Sequence, residues 1–288
     1  KDLTEYVEAD HDETPMSEKY KFHQSIGITQ IKGHMIEAMH RPGSMTSFRQ
    51  DGNSGGIWGD VKLIGRPAVH IQYVTKIGYK KDWLGDKQDK PDGTGLAAFD
   101  VFINNGTGRA VRTEIKLSVT AYNFEDDTVS NISREVVLQP GDNVCKITVT
   151  IPQVKLWWTW DHGFPHLYTA ALSADGDRIE MNFGVKEITT DEAGQWYLNG
   201  KHIFLRGMRY ISSLWMSEAN EAMWEADFRK MLDMDINAIR IGSHVERDGL
   251  YTMCDEMGLL MWQVFPLHYC ISDSDDVINR ASDMIRDM

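Results

Sequence analysis

Three short apolar runs in the last third of the chain end in residues able to do polar chemistry. HIFLRGM leads into Arg209 and Tyr210. NAIRI carries Arg240 and is followed by His244, and LLMWQVF holds Trp262 and Gln263, with His268 beyond. A guanidinium such as that of Arg240 can keep a neighbouring carboxylate ionised and orient it through paired charged hydrogen bonds. A neutral imidazole at His244 can hydrogen-bond a ligand hydroxyl. Each has a plainer alternative: for Arg240 a structural ion pair, for His244 a loop histidine packed on the next strand, for Arg209 and Tyr210 a place on a rim. General acid–base work needs carboxyl groups beside them. Glu218, Glu221, Glu225 and Asp227 instead fall on or just before a helical pattern, where they read as solvated charges favoured by the helix dipole. Asp255 and Glu256 fall near the end of the next helical pattern, and no carboxylate reads as closing a strand.

The elements that must position these residues follow from periodicity. Strand-length apolar runs near 202–207, 236–241 and 259–264 alternate with helical patterns near 218–234, 247–257 and 275–288. Such alternation marks βαβ units around a parallel sheet, whose buried strands lack a polar face. In a (β/α)8 barrel the functional side chains sit at the C-terminal ends of the strands, which is where Arg209, Arg240 and Trp262 fall. Only three such units fit into residues 189–288, and a complete barrel needs eight. The chain opens at Lys1 in mid-pattern and closes at Met288 inside a helical pattern, as expected of an excerpt from a longer protein.

Upstream, residues 67–188 give six or seven strand signals separated by explicit turn chemistry at NNGTG (104–108), QPGDN (139–143) and ADGD (174–177). This spacing reads as an immunoglobulin-like β-sandwich. Residues 1–66 carry short strand-like runs punctuated by glycine and proline, too few for a whole sandwich of their own. TTDEAGQ (189–195) reads as the linker into the α/β part.

Composition removes several classes. A net charge of −13 supplies no basic stripe for phosphates, so neither nucleic acid nor an anionic membrane surface is an expected partner. No apolar run reaches transmembrane length, and no signal-peptide pattern opens the chain. Cys145, Cys254 and Cys270 are too widely spaced for a zinc motif and read as buried free thiols, which leaves the compartment open. No G-x-S-x-G elbow, P-loop or helix-opening G-x-G-x-x-G is present. Nine tryptophans are as suited to stacking on sugar rings as to filling cores, and for any one of them the core is the better expectation.

Several stretches together resemble glycoside hydrolase family 2, which contains β-galactosidases, β-glucuronidases and β-mannosidases. LNGKHIFLRG, NAIR followed by SH, and YTMCDEMGLLMW are similar to the opening of that family's catalytic barrel. SGGIWGDVKLIG (54–65) resembles the closing strand of its sugar-binding jelly roll, and LWWTWDHGFPHLYTA (156–170) the late part of its immunoglobulin-like domain. The resemblance implies a partial jelly roll over 1–66, the sandwich over 67–188, and the first three β/α units of a TIM barrel over 189–288. It also implies retaining hydrolysis of terminal β-linked sugars, β-galactosides or β-mannosides above all, and no organic cofactor; the family allows a structural cation, but no ligand cluster in this sequence points to one. Substrate-binding positions would be Arg209, Tyr210, Arg240, His244 and Trp262. Both catalytic glutamates would lie beyond Met288, so these 288 residues alone would be inactive. A carbohydrate substrate and a homo-oligomer built on the sandwiches complete the implied partners. Two departures matter: His244 follows Arg240 in R-I-G-S-H, one residue longer than the β-galactosidase pattern, and Val264 replaces the aspartate of the β-mannosidase WQDF run. A noncatalytic carbohydrate-binding or scaffolding protein built from the same domains is the alternative.

Overall fold

A computed structural model describes residues 61–80, 93–127, 129–213, 218–242, 245–266 and 274–287. The jelly roll expected over 1–66 lies outside them, apart from residues 61–66, which run without regular structure. Two compact units emerge, one built from 62–206 and 252–260, the other containing 207–251 and 261–288.

The first unit is dominated by seven strands: β1 (Val69–Lys80), β2 (Gly95–Asn105), β3 (Val111–Ala121), β4 (Ser130–Leu138), β5 (Gly141–Ile151), β6 (Leu167–Ala174) and β7 (Asp177–Gly184). They form two antiparallel sheets, ordered β1-β2-β5 and β4-β3-β6-β7. The alternation of β2 is complete, with Ala97, Phe99, Val101 and Ile103 all facing inward. They meet Ile115, Leu117 and Val119 of β3 and Ala170 and Leu172 of β6 in one core. At about 1.5–3 kcal/mol for each large apolar side chain removed from water, this core is the unit's main source of stability. The turns are those their residues dictate. Asp175 and Gly176, at φ 49° and 86°, close the β6–β7 hairpin, where both residues must be left-handed. Asn105 is buried, donating to the carbonyls of Arg109 and Leu138.

A small sheet of β8 (Ile188–Thr190), β9 (Trp196–Leu198) and β10 (Lys201–Ile203) follows, ordered β10-β9-β8. Here the sequence expectation needs correcting. The run expected as a single strand near 202–207 splits in two. Lys201–Ile203 pairs antiparallel with β9 through an Asn199-Gly200 turn, and a separate strand, β11 (Gly207–Tyr210), pairs parallel with the next. Between them Phe204 is 69% exposed and Arg206 binds Asp161 at 2.5 Å. A partner 45 residues upstream thus breaks what local pattern reads as continuous.

The second unit holds β11, helix α1 (Glu221–Asp233), β12 (Ala238–Ile241), helix α2 (Asp248–Met257), whose last residues belong to the first unit, β13 (Leu260–Gln263) and helix α3 (Asp275–Asp287). The sheet order is β11-β12-β13. Helix α1 starts where Asn220 caps it by accepting the Met223 N–H at 3.1 Å. Trp224, Phe228 and Met231, spaced i, i+4, i+7, bury one stripe. It ends at Met234, with left-handed Asp235 (φ 60°) turning the chain into β12.

Candidate active site

Parallel pairing sets Met208 opposite Ile239, Arg209 opposite Arg240, and Tyr210 opposite Ile241. Because successive side chains on a strand point to opposite faces, this register sorts the candidates. Ile239, Ile241 and Tyr210 are buried on the helix side. Tyr210, 6% exposed, packs edge-on against Phe228 of α1 at 5.6 Å and donates its hydroxyl to Asp227 at 3.0 Å. Arg209 and Arg240 emerge side by side on the other face, both exposed. Trp262 on β13 is 60% exposed, unlike the buried Trp157 and Trp224. His244 and His268 lie outside the described residues.

Arg209 does not extend freely from its strand. A Cβ added at Gly242, just past the end of β12, would lie 2.5 Å from Arg209 Nε and 3.0 Å from Nη2. The guanidinium therefore rests across the backbone at Gly242, a position only glycine leaves open. Two exposed guanidinium groups side by side at the end of a sheet are able to bind an anion or a hydroxyl, and Trp262 lies on the next strand in sheet order.

Sequence reasoning passed over one carboxylate. Glu246, in the loop between β12 and α2, is 7% exposed and accepts a hydrogen bond from the Ser212 hydroxyl in the segment after β11. Its own N–H donates to the Tyr251 hydroxyl at 3.2 Å, and that hydroxyl donates to Gln263 Oε1 at 2.8 Å. In the sequence Glu246 stands in a charged stretch, VERD, that looks like a solvated helix start. Nothing local announces its burial.

The other acidic residues singled out lie elsewhere. Glu225 pairs with Arg229 on the exposed side of α1. In the first unit Glu256 accepts from Tyr122 at 2.8 Å. Asp255 borders a cleft of about 310 Å³ with Lys76 and Lys186, and burial pushes its carboxyl above the usual range against the pull of those two lysines. The same part of α2 is gripped by the LWWTWDHG segment. Trp157 donates its indole N–H to the Asp255 carbonyl at 2.8 Å, and the Trp160 N–H donates to the Gly258 carbonyl at 3.1 Å. Cys145 and Cys254 are free thiols that burial pushes upward in pKa, so neither is a ready nucleophile, and Cys270 lies outside the described residues. Among the described residues no three His, Cys, Asp or Glu side chains are grouped to hold a metal ion, and no helix is long and apolar enough to cross a membrane.

The chain's similarity to known proteins fits this architecture. The profile of "Glycosyl hydrolases family 2" matches residues 86–186. A β-mannosidase of Bos taurus is 25% identical over 234 residues, which is 73% of this chain and 25% of that protein. An exo-β-D-glucosaminidase of Arthroderma benhamiae is 28% identical over 141 residues, 45% of this chain and 16% of that protein. Among solved structures, Bacteroides uniformis β-glucuronidase 3 superposes with a TM-score of 0.62 at 24% identity, over 81% of this chain and 27% of that one. Parabacteroides merdae β-glucuronidase gives 0.61 at 22% identity, over 77% and 28%. The chain spans about a quarter of the length of that β-mannosidase and of those β-glucuronidase structures. Six of the seven sandwich strands, β2 to β7, fall within the matched region and a parallel sheet follows it, so over this stretch the chain is similar to the glycosyl hydrolases of family 2.

Proposed function

We propose that the chain is part of a glycoside hydrolase that cleaves terminal β-linked sugars with retention of configuration, and that β11, β12 and β13 begin its (β/α)8 barrel. The observation that carries this reading is the in-register pair Arg209 and Arg240 at the C-terminal ends of parallel strands, on the face away from the helices. Arg240 would hold a catalytic carboxylate ionised, while Arg209 and Trp262 would meet sugar hydroxyls and ring. His244 would add a hydrogen bond from the loop after β12. Tyr210, tied to Asp227, would serve by holding β11 on α1.

Retaining hydrolysis needs two carboxyl groups about 5–5.5 Å apart. One protonates the departing glycosidic oxygen while the other attacks the anomeric carbon. Water, deprotonated by the first, then releases the sugar and regenerates both groups. Glu246 is a single carboxyl already engaged by Ser212. As the resemblance to family 2 implies, both catalytic glutamates would come from outside these 288 residues.

Substrate choice falls among β-mannosides, β-galactosides, β-glucosaminides and β-glucuronides. The similarity to a β-mannosidase and an exo-β-D-glucosaminidase supports the first and third. Val264 in place of the WQDF aspartate argues against an unaltered mannoside site. The test is hydrolysis of chromogenic glycosides of these four sugars, by this chain and by the full-length protein that carries it. Turnover by the full-length protein only, falling at least about 100-fold in Arg240→Ala and not restored in Arg240→Lys, is the expected result. Silence of a well-folded full-length protein on all four would refute the enzyme and leave a noncatalytic carbohydrate-binding protein.

A further inference from the structure

We propose that Glu246 is a positioning residue for the substrate face, locking the segments after β11, β12 and β13 into one arrangement. The inference rests on the reading of that face as the sugar side. Its basis is a nearly closed circuit of hydrogen bonds. From the end of β12 the chain reaches Glu246, whose N–H donates to Tyr251 Oη at 3.2 Å. Tyr251 donates to Gln263 Oε1 at 2.8 Å, and Gln263 Nε2 donates to the Val264 carbonyl at 2.9 Å. The Val264 N–H then returns to the Ile241 carbonyl of β12 at 3.0 Å. The Glu246 carboxylate adds the third segment by accepting from Ser212.

Burying a carboxylate costs stability unless well-placed hydrogen bonds offset its lost hydration, and the bonds held here join the segments that flank the proposed sugar face. Gly242, four residues before Glu246 in the same loop, is the floor on which the Arg209 guanidinium lies. A loop released at Glu246 shifts that floor and carries Arg209 with it. The consequence is a loss of substrate alignment, not of chemistry.

The experiment uses the full-length protein with Glu246→Ala, Glu246→Gln, Ser212→Ala and Tyr251→Phe. It reads steady-state constants on whichever chromogenic β-glycoside the wild type turns over fastest, beside Tm and hydrogen exchange of residues 242 and 245–247. In Glu246→Ala, KM rises about tenfold while kcat changes by less than about threefold, and exchange of the 242 and 245–247 amides quickens. Glu246→Gln, whose amide oxygen still accepts from Ser212, returns KM to within about threefold of wild type, and Ser212→Ala and Tyr251→Phe fall between. Should Glu246→Ala fail to fold, the rise in KM in these two milder variants decides the matter. A lower Tm with KM unchanged in every variant would reduce Glu246 to a structural part and overturn the proposal. An equal collapse of kcat in Glu246→Ala and Glu246→Gln would overturn it too, by making the charge part of the chemistry. Silence of the wild type on every sugar would instead sink the enzymatic reading, and this inference with it.

Discussion

Replacing Asn199 probes the joint on which the first unit's small sheet hangs. Asn199 is 4% exposed and sits at φ 52°, in the left-handed region. Its side-chain oxygen accepts from the Glu187 N–H at 2.9 Å, and its amide donates to the Trp157 carbonyl at 2.9 Å. Asn199→Ala removes both partners and leaves two largely buried backbone groups unsatisfied, together about 2–4 kcal/mol. It also places a Cβ residue without a compensating side-chain bond in left-handed geometry, for about 1–2 kcal/mol more. Asn199→Gly keeps the first cost and removes the second. Alanine should therefore cost about 3–6 kcal/mol and glycine about 2–4, with glycine the more stable of the two. Urea unfolding followed by tryptophan fluorescence reads this as a lower midpoint at unchanged slope. The reasoning fails if alanine costs less than about 1 kcal/mol, because the two bonds would then carry nothing. It also fails if alanine and glycine are equal, since the backbone strain would be absent.

Three further outcomes are expected. Gly242→Ala should cost less than about 1 kcal/mol, because the clash is with a flexible arginine, yet should raise KM in the full-length protein by displacing Arg209; an unchanged KM would separate Arg209 from recognition. Phe99→Ala, emptying a fully buried site packed edge-on against Phe183 at 5.6 Å, should cost about 3–5 kcal/mol in thermal or urea unfolding, and a cost under about 1 would misplace the core. Asp255 titrates above its ordinary 3.8 because burial disfavours the charged form, so the folded state holds its proton more tightly than the unfolded one. Its contribution to stability is thus favourable at acid pH and is lost as pH rises from about 3.8 through the raised folded value. Asp255→Asn should flatten that decline without destabilising the protein at pH 7, and a marked loss of stability at pH 7 would mean that Lys76 and Lys186 outweigh burial.

What was legible in the sequence, and what was not, divides by the range of the forces involved. The inward alternation of β2 and the Asp175-Gly176 turn are local and were readable. That adjacent residues on a strand face opposite ways was readable as well, and it separates Arg209 from Tyr210, though both types of side chain suit a pocket. The break between β10 and β11 was not, because Arg206 leaves the strand pattern for an aspartate far back in the chain. Glu246 escaped for the same reason: its burial comes from Ser212, 34 residues earlier, and from Tyr251 and Gln263 beyond it.

The residues that carry the likeness to family 2 gain a physical meaning from these contacts. Asn199 of LNGK binds the carbonyl of Trp157 in LWWTW, Arg206 of FLRG binds Asp161 of WDHG, and the Trp157 indole binds the carbonyl of Asp255 in CDE. Motifs scattered over 100 residues are thus one hydrogen-bonded knot. The knot lies within the first unit, and its hydrogen bonds involve none of Arg209, Arg240 and Trp262. A resemblance resting on it therefore speaks to the family far more than to the sugar. On the proposed reading, choice of sugar would turn on the few positions where this chain departs from the resembled patterns, the inserted residue before His244 and Val264 after Gln263. Restoring either should move relative KM values across the sugar panel while leaving the unfolding midpoint of the sandwich unit in place.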